Sequence, residues 1–360
     1  MDRRRFFTNS FQTFAGAMIL SSCRSQVSVP YQTNSEKGQV LLGLNSDKPG
    51  SILRILSLDD HTHKDFHLPV KEPHSIFRSQ WNPNHVYVFG TGSTSAIVDL
   101  TNGSTIIREN TEGMSFNGHG ASVTSDNILW CSENDAIGKI FIRGRRATDL
   151  ALLEGDEYTF EGGHHVTKIP DSNLVVTGGV TNKGKVVRIF DHQKKTIVHE
   201  YVVDYIPVHF LQLSSTDLIA VTASSNSSTG KGDFKRANFP VYGDLSHPAP
   251  LISFNTKGEY KYIWEKEPSD LMKLGFSASK LSSDSFLTGH LKSGNVILWK
   301  NFKMVKSINV GLPIAIVMSK DGSQFIVQSG NMLKIYNLES MELQKSIKYD
   351  ESVVSMSSYK

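Results

Sequence analysis

From about residue 38 onward the apolar residues of this chain recur in short alternating runs, separated by turns rich in Ser, Asp, Asn and Gly. Alternation with period two marks strands, because successive side chains of a strand point to opposite faces. One unit returns along the chain: a short strand, a polar turn and a β-branched strand. It occupies residues 121–130, 166–177, 210–222, 278–288 and 315–328, with a variant over 76–89. A third strand often follows, as at 96–98, 186–190, 296–299 and 333–336. The period is near 45 residues, which is the spacing of stacked four-stranded sheets arranged around an axis.

Six units are complete, and a seventh can be assembled only from the two ends of the chain. Residues 39–69 supply strands resembling the second, third and fourth of a blade, while residues 352–356 resemble a first strand with nothing after it. Pairing the two closes the ring and removes the exposed sheet edges on which other chains could add. The expectation is an all-β, seven-bladed β-propeller over residues 38–360, with blades of the YVTN or WD-repeat kind. A β-sandwich followed by a second small β domain is the other arrangement these strands permit.

Composition changes this picture little. Gly at 28, Phe at 19 and Tyr at 11 favour strands and turns. Lys and Arg number 38 against 35 Asp and Glu, and the cluster Asp2, Arg3, Arg4, Arg5 carries +2 of the net +3. The remainder is close to neutral and lacks the basic footprint of a nucleic-acid binder. Two cysteines, Cys23 and Cys131, offer no disulfide framework, and Cys131 reads as a buried strand residue.

The first residues form a separate element. Arg3-Arg4-Arg5-Phe6-Phe7 resembles the twin-arginine export motif, an apolar run over residues 11–20 suits a signal segment too short to span a bilayer, and Leu20-Ser21-Ser22-Cys23 resembles a lipobox. Residues 1–23 are thus expected to be a twin-arginine lipoprotein signal, with export directed by Arg3 and Arg4 and the chain held to a membrane through a lipid on Cys23. Several acyl chains give stable anchoring at about 0.8 kcal/mol per buried CH₂. Residues 24–37, rich in Ser and Gln, read as a flexible tether, and the mature protein as a periplasmic monomer. Release as a soluble exported protein, or a cytoplasmic protein with a basic start, are the alternatives.

His74, His119, His164 and His209 follow one another at steps of 45 residues, one blade per step. The equivalent places in the two following units hold Ser277 and Ile314. An imidazole that merely tied neighbouring blades together would recur around the whole ring, so its restriction to one arc points to a site at the mouth of the pore. The loops between second and third strands should face the same mouth. They bring Glu133 and Asp135, His290, and a long insertion over 224–247 that contains Lys231, Lys235, Arg236, Phe239 and Tyr242 and is long enough for a lid or docking surface. Imidazoles with carboxylates suit Zn, Cu, Fe or Ni. The candidate ligands are His74, His119, His164, His165, His209 and His290, assisted by Glu133 or Asp135, and the cofactor they imply is a transition metal ion. Ring nitrogens converging within about 4 to 5 Å would favour a metal site. Rings turned sideways onto backbone carbonyls would favour a structural role.

The same stretches carry a family likeness. Gly118-His119-Gly120, Ser132-Glu133-Asn134-Asp135 with Ile137-Gly138, Gly162-Gly163-His164-His165 leading to Pro170-Asp171, Val208-His209-Phe210, and Ala249-Pro250-Leu251 before Lys257-Gly258-Glu259 resemble, in order, the motifs of the domain-of-unknown-function family numbered 1513. The resemblance implies a periplasmic propeller with a twin-arginine signal. Members are often encoded beside imelysin-type iron-uptake proteins and haem oxidoreductases, which implies a place in periplasmic metal handling and a protein partner from a metal-uptake or redox system. The chain departs from the pattern at Gly163-His164-His165, where the family has Pro-His-Glu, and at Val208, where it has Arg.

Three functions follow: a non-catalytic metal-binding protein, a docking scaffold with structural histidines, or a metal-dependent hydrolase or lactonase in which Glu133 would be the base for a metal-bound water. No nucleophile elbow, phosphate-binding Gly-rich loop, paired-Cys zinc motif or HExxH helix occurs.

Overall fold

Each repeat unit folds as a four-stranded antiparallel sheet, and seven such sheets are present. The computed structural model describes residues 38–46, 50–79, 81–123, 127–169, 171–181, 183–224, 247–264 and 270–359. The signal and tether expected over 1–37, with Arg3, Arg4 and Cys23, lie outside them, as do 225–246 of the insertion. The described residues belong to one unit, Ser35–Lys360.

The ends of the repeated sequence element prove to be cross-strand partners: Ala121 pairs with Trp130, Val166 with Thr177, Ala278 with Thr288 and Ala315 with Gln328. Those pairs join the first and second strands of successive blades. First strands form the inner ring. Pro73–Arg78, Met114–Val123, His165–Lys168, Ile206–Gln212, Gly275–Lys280, Pro313–Met318 and Val353–Tyr359 each pack on the next, and the last packs on the first. This contact order closes a β-propeller.

Numbered from the N-terminal strands, blade one is composite. Its inner strand is Val353–Tyr359, hydrogen-bonded to Gln39–Asn45, followed by Ser51–Ser57 and His63–Leu68. Leu42 pairs with Met356 and Val40 with Ser358, and the amide of Asn45 donates to the Ser352 carbonyl at 2.9 Å. The expected closing strand is therefore real and extends three residues beyond Met356. Second and third strands, sandwiched between neighbouring blades, are buried on both faces, as in Val86, Tyr87, Val88 and Phe89. Fourth strands lie on the rim, so Leu343–Lys348 has no buried residue. The core is a ring of interfaces between blades. Val40, Leu42 and Leu44 meet Ile326, Leu333 and Ile335 of blade seven, and Trp130 and Ile142 of blade three meet Val166, Val175 and Phe190 of blade four.

Candidate metal centre

The inner strands carry the histidines, but not at one repeated position. Cross-strand register fixes equivalence: His119 opposes Ser132, His165 opposes Gly178, and His209 opposes Val221. The counterparts in blades two, six and seven are Ser75, Ser277 and Ala315. His165, not His164, is therefore the counterpart of His119 and His209, and Ile314 lies one place off its row. The uniform spacing of 45 hides this because the inner strands carry bulges, at Pro73/Ser75, Phe116/His119 and Pro207/His209, which add residues without advancing the register. His74 is itself the bulged residue of blade two, and His164 immediately precedes the inner strand of blade four.

Bulges and glycines together bring both rows of rings to one place. His119 is central. Its ring centroid lies 4.4 Å from that of His164, 4.9 Å from His74, and 5.1 Å from both His165 and His209. The Nε2 atoms of His119 and His164 are 3.0 Å apart. One ligand nitrogen each from His74, His119 and His164 lies within 4.8 Å of the other two, close enough that the three could hold a metal ion. His165 and His209 stack on each other at 4.6 Å beside it.

Gly163 explains how His164 reaches this position. A Cβ there would run into the backbone of Gly178 and Gly179, and the amide of His164 donates to the Gly178 carbonyl at 3.0 Å. Two strands of blade four approach too closely for any side chain but hydrogen. The His164 ring is then held by a residue absent from the sequence-based expectation. Asn117 Nδ2 lies 3.3 Å from His164 Nδ1 and donates to Ser132 Oγ at 3.2 Å, while Ser132 Oγ donates to the Gly163 carbonyl at 3.1 Å. An asparagine two residues before His119 was the available signal, but its role depends on a neighbouring blade.

Burial governs protonation. His119 is held well below the ordinary imidazole range, first by burial and then by the crowding of His164, His74, His165 and His209. His209 follows suit for the same reasons, and burial lowers His165 to about 4. At neutral pH these three rings are uncharged, the form that binds metal.

The expected helpers go elsewhere. Glu133 is completely buried, and alternation along Ile128–Asp135 puts it on the face opposite Ser132. It accepts from Arg145 Nε at 2.7 Å, Arg143 Nη1 at 3.0 Å and Cys131 Sγ at 3.1 Å. Burial raises its pKa, but the charge and hydrogen bond of Arg145, with the charge of Arg143, hold it below the usual carboxylate range. It is an ion-pair partner instead of a metal ligand or a base. Asp135 accepts from the amides of Ile137 at 3.1 Å and Lys139 at 2.9 Å, so its carboxylate caps the turn into the third strand. His290 Nε2 lies 2.9 Å from Thr288 Oγ1, and that hydroxyl oxygen accepts from Trp299 Nε1 at 2.8 Å. This chain of polar groups ties the strands of blade six. Cys131 is buried, as expected.

No family model matches the sequence, and no curated protein matches it. Solved structures do. A candidate 6-phosphogluconolactonase from Bacteroides fragilis aligns at TM-score 0.63 and 14% identity, over 91% of this chain and 99% of its own. Hydrazine synthase from Kuenenia stuttgartiensis aligns at TM-score 0.60 and 10% identity over the same shares. The WD40 propeller domain of Doa1 gives TM-score 0.54 and 10% identity, over 77% of this chain and 86% of that one. At such identities the likeness is one of fold, and the fold it gives is the β-propeller.

Proposed function

We propose that this propeller is a binding protein that holds a divalent transition metal ion through His74, His119 and His164. The carrying observation is the convergence of three ring nitrogens from three blades within 4.8 Å, with His119 and His164 buried. An all-imidazole set favours Zn, Cu, Ni or Fe over Mg or Ca. Calorimetric titration of metal-free protein with Zn²⁺ and Cu²⁺ is expected to give one equivalent, lost in the variant His74→Ala/His119→Ala/His164→Ala. Burial and the neighbouring rings hold His119 neutral well below the ordinary imidazole range, so its own protonation does not oppose the metal near pH 6.5.

Equal weak binding by parent and triple variant, with a lower melting temperature for the variant, would turn the reading to a docking scaffold. A hydrolase is disfavoured because Glu133 is engaged by two arginines and faces away from the ring cluster. The likeness to a candidate 6-phosphogluconolactonase does not restore a base.

We place the protein in the periplasm, anchored by Cys23 and working beside a partner of a metal-uptake or redox system. Support comes from the order of Arg3, Arg4 and Cys23 and from the motif resemblance. Replacing both arginines by lysine should leave precursor in the cytoplasm, and Cys23→Ser should abolish acyl labelling. Unchanged export or labelling would remove the corresponding half of the claim.

A further inference from the structure

Building on the metal reading, we infer that the ion keeps one coordination position for an exogenous small anion, and that His165 and His209 hold this anion from outside the coordination sphere. Three protein ligands are the count found where a metal must accept water or substrate, whereas purely structural sites are closed by a fourth. The two carboxylates expected to assist the ion are spent elsewhere: Glu133 on Arg145 and Arg143, Asp135 on its turn. Three neutral imidazoles therefore leave both positive charges of a divalent ion uncompensated by any described acid in the group. A buried, uncompensated charge is costly, and an anion is the species that relieves it.

The second observation concerns His165 and His209 themselves. Both rings pack on His119 at 5.1 Å, yet neither belongs to the converging group. His165 Nδ1 and His209 Nε2 are buried without a hydrogen-bond partner. Other buried side-chain atoms among the described residues also lack a partner, His290 Nδ1 included, but these two sit on rings that stack on each other and pack on His119 beside the candidate ion, and that placement calls for a shared explanation. Phe210 at 5.8 Å from His165 and Phe276 at 5.4 Å from His209 give these rings an apolar backing. A ligand seated on the ion would supply the missing partners.

The test uses the full chain loaded with Co²⁺ and azide as the probe anion. Parent protein is expected to take one equivalent of Co²⁺, and azide should shift its visible absorption in a saturable way. His165→Phe and His209→Phe should keep one equivalent of Co²⁺ while weakening azide by about fivefold each, the factor expected for one net hydrogen bond. His165→Asn and His209→Gln, which restore a polar atom, should recover part of that loss. The inference is overturned if saturating azide leaves the spectrum unchanged, if either Phe variant loses Co²⁺ and so proves to be a ligand, or if the parent takes two equivalents. Absence of Co²⁺ binding in the parent would overturn the metal reading itself, and this inference with it.

Discussion

Replacing Glu133 by Gln separates a structural carboxylate from a functional one. Glu133 and Arg145 are 0% and 2% exposed at their side chains and 2.7 Å apart. Removing one partner of a buried ion pair costs about 3 to 5 kcal/mol, because the other charge is left uncompensated. Arg145 retains further support: its Nη1 donates to the Leu150 carbonyl at 2.9 Å, its Nη2 to Asn110 Oδ1 at 2.7 Å, and its guanidinium lies 4.7 Å from the centre of the Phe116 ring. These contacts place the loss at the low end, about 3 kcal/mol, or roughly 4 °C in melting temperature for a chain of this length. Urea denaturation at pH 7 should show a lower midpoint with an unchanged slope. Metal titration of the same variant should match the parent. Two results would refute the reasoning: a variant as stable as the parent, or one that is stable but has lost metal affinity, which would make the carboxylate a ligand after all.

Deleting residues 353–360 removes the inner strand of blade one, including Val353 and Met356, each contributing about 1.5 to 3 kcal/mol through burial. It also uncovers the edge of Gln39–Asn45, so the loss approaches the 5 to 15 kcal/mol that holds a whole domain, and circular dichroism should show a chain that melts far lower or does not fold. A truncated chain as stable as the parent would reject closure. Gly163→Ala should separate the two strands of blade four, lowering the melting temperature by several degrees and metal affinity by tenfold or more, measured by calorimetry; unchanged affinity would mean that this approach does not position His164. For acid stability, burial lowers His290 to about 3 and His165 to about 4. The unfolded chain therefore binds protons first as pH drops below about 6.5, and stability present above that value should decline steadily toward pH 4. Urea midpoints that stay flat between pH 6.5 and 4.5 would contradict the burial of these rings as neutral species.

The blades were legible in the sequence because their determinants are local. Alternation with period two and a polar turn specify a hairpin without reference to the rest of the chain, which is why the ends of the repeated element, such as Val166 and Thr177, proved to be partners. Closure was legible for a related reason: residues 39–69 lack an inner strand, and the C-terminal segment is an inner strand lacking the rest. The histidine arc was visible too, but its geometry was not. Bulges at Pro73/Ser75 and Phe116/His119 alter the count of residues per blade without altering the ring, so equal spacing in sequence did not mean equal position in space. Glu133 looked like a ligand because it was read as part of a loop facing the pore mouth, yet it lies within the strand Ile128–Asp135, one step from Ser132 and so on the other face, which holds Arg145. Asn117 could be assigned only once blade four lay against blade three, since its contact with His164 spans 47 residues. What this sequence determined by itself was each sheet and the ring that the sheets make. Which atoms meet at the centre was decided by bulge register and by the approach of Gly163 to Gly178, both products of packing between strands that no local pattern encodes.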